Sequence, residues 1–305
     1  MNGILLIDKP VELTSAEVVR RVKRRLPRSV KVGHLGTLDP FATGLLPLCL
    51  GEATKIAQFL NTADKRYSGV IQLGRATDTG DRTGTEQATA PLPDLATADL
   101  ATLAARFTGA LQQRPPMYSA LKRDGVPLYR LARRGIEVER ELRPVRIDAL
   151  ALEPEGADRL RFAVACSKGT YVRVLAEDLG QALGTVAHLT ELRRTQFGAF
   201  SLDAAVGLDA WDPAQGRGLV GLCAALAHLP AVPIDQRTAA AARQGKAAVL
   251  AGLPDRQASA AMLVDPAGEL AAVVVREQGG WRYGRVMAPS QALHGVDTVV
   301  ADTVE

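Results

Sequence analysis

Asp39 stands in the stretch GHLGTLDPFATGLLPL, from Gly33 to Leu48, where residue types constrain the backbone before they say anything about chemistry. Pro40 fixes its own φ and keeps Asp39 out of the helical region, while Gly33, Gly36 and Gly44 permit tight or positive-φ turns. A carboxylate on so stiff a turn has two readings: an Asp-Pro turn former bonded to nearby backbone, or a nucleophile held against a substrate. Arg173 also asks for a partner. It opens a helix, where the macrodipole disfavours a cation, so a carboxylate or phosphate should face it, although a weak surface ion pair would satisfy the same argument. Tyr67 at a strand start either packs in the core or stacks on a ring. His34, read alone, is a turn histidine. A glycoside or nucleoside hydrolase would need a second carboxylate, for which Asp64, Asp78 and Asp81 are the candidates.

The elements that position these residues follow from periodicity. Gly3 to Ile7 reads as a buried strand, and Thr14-x-x-Glu17 as a capping box opening a helix whose Val18, Val22 and Leu26 face the core until Pro27. The apolar run from Leu45 to Leu50 predicts a buried strand, and Tyr67 to Leu73 another. Gly74 to Gly84 lacks both the G-K-[ST] ending of a P-loop and the G-x-G-x-x-G spacing, and reads as a mobile surface loop. Thr97 is placed to cap a helix bearing Leu100, Leu103, Ala104 and Phe107. Gln112 to Tyr118 reads as a loop and Pro127 to Gly135 as a short helix. Arg159 to Cys166 alternates like a half-buried strand, and the next helix buries Val172, Leu175, Ala176, Leu179 and Leu183, leaving Arg173 off that stripe. Leu219 to Leu229 suggests a core helix and Pro230 to Pro233 a linker. Beyond it, a short helix at Thr238 to Gln244 and strands at Ala260 to Val264, Glu269 to Val275 and, after Gly279-Gly280, Trp281 to Val286 suggest a small β-rich domain.

At 305 residues the chain exceeds the usual limit of one core, so two domains are expected. The formal charge is only +4. Its distribution is more telling: residues 1 to 229 hold 30 Lys and Arg against 25 Asp and Glu, and the remainder 7 against 8. One cluster comprises Arg20, Arg21, Lys23, Arg24, Arg25, Arg28 and Lys31. Another runs from Arg114 to Arg146 and includes Lys122, Arg123, Arg130, Arg133 and Arg134 beside Tyr118 and Tyr129. Aromatics for bases and cations for phosphates suit an RNA-facing arm, although either cluster alone fits a solvated face. Cys49, Cys166 and Cys223 are widely spaced and odd in number, which argues against a disulfide framework or zinc site and suits a cytoplasmic protein. Ile4 to Ile7 is too short for a signal peptide, and the run from Gly218 to Ile234 is broken by His228, Pro230 and Pro233.

Seven stretches taken in order resemble the TruB-type tRNA pseudouridine synthases: ILLIDKP, GHLGTLDPFATGLLP, LGEATK, KRYSG, PPMYSALK, CSKGTYVRVLAEDLG and LRRT. The similarity covers residues 2 to about 205, and the tail from about Ile234 is more weakly similar to a PUA-type RNA-binding domain. It implies an α+β fold with a mixed, mainly antiparallel central sheet flanked by helices. The implied catalytic domain spans 1–232, with an insertion near 112–146 closing over RNA, and a PUA-like domain spans 233–305. By resemblance, Asp39 matches the nucleophilic aspartate, Tyr67 the tyrosine against the target base and Arg173 the arginine paired with the aspartate. Tyr171 and Leu192 match pocket-lining residues, and His34 the histidine that fills the space left by everted nucleotides. Lys9 and Pro10 match a motif supporting the active-site loop and are counted with the substrate-binding set. Leu35 departs from the small or hydroxyl residue that relatives often carry.

The activity so implied is isomerisation of uridine 55 in the T loop of tRNA, with tRNA as partner and no cofactor or metal. It needs no protein partner or membrane, and a monomer is expected. The alternatives are a non-catalytic RNA-binding or tRNA-folding protein and an RNA-guided pseudouridine synthase. Compact length and the lack of a long Lys-rich tail favour the standalone enzyme.

Overall fold

The computed structural model describes residues 1–61, 63–254, 258–277 and 280–289, and these form two compact units, Gly3–Val220 and the segment from Gly221 onward. In the first unit, β1 (Gly3–Lys9) is buried on nearly every residue, as its unbroken apolar run requires. Thr14 then caps α1 (Ser15–Arg24), with both halves of the capping box formed by Glu17, and Val18 and Val22 face the core. Next come β2 (Val32–His34), β3 (Thr43–Leu50), α2 (Ala53–Leu60) and β4 (Lys65–Leu73). A short ribbon, β5 (Arg75–Thr77) with β6 (Glu86–Thr89), precedes α3 (Leu100–Arg106) and β7 (Gly109–Gln113). The two-residue strands β8 (Lys122–Arg123) and β9 (Val126–Pro127) form a hairpin before α4 (Leu128–Ala132). The unit is completed by β10 (Arg143–Pro154), β11 (Arg159–Cys166), α5 (Val172–Ala182) and β12 (Ala187–Phe197), followed by the two-residue strands β13 (Phe200–Ser201), β14 (Val206–Gly207) and β15 (Leu219–Val220).

The main sheet runs β14-β1-β3-β12-β4-β11-β10-β7. Only β1 with β14 and β3 with β12 are parallel among its pairs, so the sheet is mixed and mainly antiparallel. β3 and β12 meet only at Thr43–Arg193 and Gly44–Arg194. A Cβ on Gly44, at φ +95, would lie 2.3 Å from the Arg194 carbonyl oxygen, so the approach requires glycine. β11 alternates exposed and buried residues, its Leu160, Phe162 and Val164 joining a core that also holds Leu5, Ile7, Leu46, Leu48, Leu175 and Leu179.

The second unit begins with α6 (Leu222–Ala225) and β16 (Ala231–Pro233), continues through α7 (Gln236–Arg243) and α8 (Ala247–Ala251), and ends with β17 (Ala260–Val264), β18 (Leu270–Glu277) and β19 (Gly280–Val286). Its four strands run β16-β17-β18-β19 around a core of Val232, Ala239, Ala242, Leu263 and Val274.

Four expectations are corrected. Gly74 to Gly84 is docked rather than a mobile surface loop: Leu189 N–H donates to the Gly80 carbonyl, Arg82 N–H to that of Leu189, and Asp81 is buried. Pro230 to Pro233 is no linker, because β16 pairs in parallel with β17, and the division of the chain therefore falls after Val220 instead of at 232. Only Leu222–Ala225 is helical in the expected 219–229 helix, since Leu219 and Val220 pair with Leu5 and Ile4 of β1. Asp99, not Thr97, caps α3, its carboxylate taking the Thr102 N–H. The ends of the 112–146 insertion are themselves sheet strands, β7 and β10. Residues 255–257, 278–279 and 290–305 of the expected C-terminal domain, Gly279 among them, lie outside the described residues.

Candidate active site

The Asp39 turn is held from below. Ser15 Oγ, at the start of α1, accepts from Leu38 N–H at 2.9 Å and donates to the Leu38 carbonyl at 3.1 Å. The wholly buried Lys9 ammonium donates to the carbonyls of Pro10 (2.9 Å), Leu13 (2.7 Å) and Pro40 (3.2 Å), tying the end of β1 to the residue after Asp39. Burial lowers that ammonium to about 8, against the pull of Asp39. Lys9, with its ammonium spent on three carbonyls, supports the loop, and Pro10 contributes its carbonyl to that support. Arg194, 1% exposed, holds the other side by donating from Nε to the Leu45 carbonyl (2.7 Å) and from Nη2 to the Gly36 carbonyl (2.9 Å). Gly36 has φ +64, and a Cβ there would meet the Phe197 ring at 2.9 Å.

Arg173 gathers three separate loops. Its Nε donates to Asp39 Oδ2 at 2.9 Å, Nη1 to the Thr79 carbonyl at 2.6 Å and Nη2 to the Tyr118 carbonyl at 2.7 Å. Arg173 is 4% exposed although it lies off the apolar stripe, because the 74–84 loop and the insertion cover it. A second carboxylate lies close: Asp81 Oδ2 is 3.8 Å from Arg173 Nε, and Asp81 Oδ1 accepts from Thr79 Oγ1, Thr83 N–H and Thr83 Oγ1. Burial pushes the Asp39 carboxyl above its ordinary range, Arg173 pulls it back, and the Asp81 charge pushes it up further. Tyr118 Oη closes the arrangement by donating to Asp78 Oδ2 at 3.2 Å.

These groups line a cavity of about 640 Å³, with Asp39, Tyr67, Tyr171, Arg173 and Leu192 in its wall. Five of the eight expected site residues thus share one concavity. Tyr67, on β4, pairs across the sheet with Arg194 of β12 and Val164 of β11. Burial raises its phenol, and neighbouring Arg194 acts in the opposite direction. Tyr171 is N-terminal to α5, its N–H donating to Gln113 Oε1 at 3.0 Å. Leu192 pairs across the sheet with Gly69, where a Cβ would fall 2.1 Å from the Glu191 carbonyl oxygen, so the close approach of the strands requires glycine. His34 lies outside the lining, in β2, with Nδ1 buried and unpartnered among the described residues. Leu35, the departure from pattern, is a fully buried core residue. A second concavity, of about 490 Å³, is lined by Ser68, Arg161, Thr190 and Arg193 but holds neither Asp39 nor Arg173.

Asp81, Arg194 and Lys65 are the residues that sequence reasoning left without a role at this site. The sequence offers Asp81 only as a hydrolase carboxylate. Arg194 was visible inside LRRT and Lys65 inside KRYSG, but nothing in one sequence says which charged residue of a motif turns inward. Of the two other hydrolase candidates, Asp64 pairs on the surface with Arg146 at 3.1 Å and Asp78 accepts from Tyr118 Oη. No group of His, Cys, Asp and Glu suited to a metal ion occurs among the described residues.

Known proteins share the sequence and the fold. A family model described as TruB family pseudouridylate synthase (N terminal domain) matches residues 23–172, and one described as tRNA pseudouridylate synthase B C-terminal domain matches residues 173–215. The protein is thus an enzyme of the pseudouridine synthase class. The tRNA pseudouridine synthase B of Aromatoleum aromaticum is 52% identical over 250 residues, covering 81% of this chain and 80% of the relative. That of Burkholderia mallei is 47% identical over 298 residues, covering 95% and 96%. The chain belongs to the TruB family. Among solved structures, a Cbf5-Nop10-Gar1 complex matches with TM-score 0.67 at 25% identity, over 94% of this chain and 84% of that one. A structure titled H/ACA RNP bound to a substrate RNA containing 2'-deoxyuridine matches with TM-score 0.68 at 24% identity, over 94% and 85%, and shows the shared fold.

Proposed function

We propose that this enzyme converts uridine 55 in the T loop of tRNA to pseudouridine, acting alone and without a cofactor. The observation that carries the reading is the Asp39–Arg173 pair, 2.9 Å apart, in the wall of a cavity large enough for a nucleoside. The names of the close relatives, tRNA pseudouridine synthase B, support tRNA as substrate. The C1′ atom is inaccessible in a stacked loop, so the nucleotide flips into the cavity, at a cost of about a few kcal/mol. Tyr67 then stacks on the uracil, Tyr171 and Leu192 bound the pocket, and His34 enters the space left behind. Asp39 acts as nucleophile or anionic partner while the N1–C1′ bond breaks. The uracil turns, C5–C1′ forms, and the proton leaves C5.

The exposed cations of the insertion, Lys122, Arg123, Arg130, Arg133 and Arg134, supply an RNA-facing arm, and the second unit acts as a PUA-like RNA-binding domain. A monomer in a reducing cytoplasm suits three unpaired thiols. An RNA-guided mode finds support in the fold shared with complexes, but at about half the identity of the tRNA-named relatives. Purified protein and a tRNA transcript labelled with tritium at uracil C5 test the reading. Tritium release is expected from wild type and should fall on the order of 10⁴-fold in Asp39→Asn, which keeps the shape but cannot be an anionic nucleophile. Release that persists in the variant sinks the mechanism. tRNA binding without release in wild type would leave a non-catalytic RNA-binding protein, or one that needs a guide RNA.

A further inference from the structure

The cavity carries more positive charge than its one lining carboxylate can balance. Lys65, Arg143, Lys168, Arg173 and Arg194 line it, and Asp39 is matched to Arg173. Two of the others share one ring: Lys65 Nζ lies 4.8 Å and the Arg194 guanidinium 5.4 Å from the centre of Phe197. Neither has a carboxylate within ion-pair distance among the described residues; Lys65 donates to the Ala63 carbonyl and Arg194 to those of Leu45 and Gly36. Lys168, in the exposed turn before α5, adds its charge to the same group.

Resting on the RNA reading above, we propose that Lys65 and Lys168 form an anion subsite in the cavity wall for one backbone phosphate of the RNA strand that carries the everted nucleotide, with buried Arg194 behind as positioning cation. Like charges brought together over a ring without a counter-ion repel, and a phosphate relieves that repulsion more than it would between solvated surface cations. Consistent with this, burial and the neighbouring Arg194 hold the Lys65 ammonium down at about 8. Lys65 and Tyr67 are two residues apart on β4, so their side chains leave the same face of the strand. A phosphate on Lys65 would thus fix the backbone beside a base stacked on Tyr67.

The test is RNA affinity against salt, followed by single-phosphate neutralisation. Lys65→Gln and Lys168→Gln should each make the slope of log K against log salt less negative by about 0.7, the value for one single-strand phosphate contact, and Lys65→Arg should restore it. T-loop RNAs, each with one methylphosphonate linkage near the target uridine, are then titrated. Wild type should lose about tenfold in affinity at one linkage, at which Lys65→Gln loses nothing further. Unchanged slopes in both Gln variants, or equal losses by wild type and variant at every linkage, overturn the subsite. Lys168→Gln lies in an exposed turn and keeps the test valid where Lys65→Gln perturbs the fold. Wild-type tritium release on unmodified tRNA, run alongside, shows separately whether the reading of the enzyme's substrate holds.

Discussion

Two carboxylates share the surroundings of one guanidinium, and they serve different ends. Asp39 reaches the cavity, whereas Asp81 is buried with Oδ1 engaged by two threonines. Burial first, and the Asp81 charge in addition, push the Asp39 carboxyl above the ordinary aspartate value of about 3.9. The anion needed at C1′ is lost as pH falls through that raised value, so kcat should show an acid limb above the ordinary carboxylate range. Asp81→Asn removes the like charge and should move the limb to lower pH while also lowering the plateau, because the Thr79 segment loses an anionic acceptor. A pH profile of tritium release checks this; an unmoved limb means that Asp81 does not feel Asp39. Arg173→Lys should reduce kcat by about 100-fold or more with RNA affinity little changed, because one ammonium cannot reach Asp39 and the Thr79 and Tyr118 carbonyls in the geometry of a planar fork. Single-turnover kinetics beside RNA titration separates the two effects.

At the scale of elements, the site is where three loops and two strands are tied together. The sequence asks only for a carboxylate or phosphate facing Arg173, whereas its donors are divided among the 33–48 loop, the 74–84 loop and the insertion. That division explains why the glycine-rich 74–84 segment is ordered against β12. Gly80 has φ +69, and a Cβ there would fall 2.3 Å from Glu177 Oε1 of α5. Gly80→Ala should cost about 1–2 kcal/mol from the left-handed backbone and crowding, lowering Tm by a few degrees. It should also displace the neighbouring Thr79 carbonyl from Arg173 and lower kcat. Calorimetry with a kinetic assay checks this, and an alanine variant with wild-type Tm and rate would show that the segment tolerates movement.

For the whole molecule, the division after Val220 makes a concrete statement about independence. The first unit has its own core, and its last strand, β15, pairs with β1. A chain ending at Val220 should therefore unfold cooperatively by calorimetry, whereas one ending at Pro154, within the main sheet, should not. A broad, non-cooperative melt of the 1–220 chain would show that the second unit completes the first. The family models divide the chain elsewhere, between residues 172 and 173, within the first turn of α5, where the fold has no boundary.

Period and turn chemistry determined much by themselves. The apolar runs of β1 and β3, the alternation of β11, the capping box of α1 and the stripe of α5 were all legible, because each depends on neighbours a few residues away. So was the stiffness of the Asp39 turn, which Pro40 imposes locally. Tertiary structure decided what those turns face. Arg173 and Asp39 are 134 residues apart, and no local rule could divide the guanidinium among three loops, bury Asp81 beside it or turn Arg194 beneath Gly36. Glycine, threonine and aspartate in the 74–84 segment carry no periodic signal, so only the Leu189 edge of β12 could convert it from a loop into a wall. Ala231 to Pro233 likewise became a strand because β17 offered an open edge, a hydrogen-bonding fact invisible in composition.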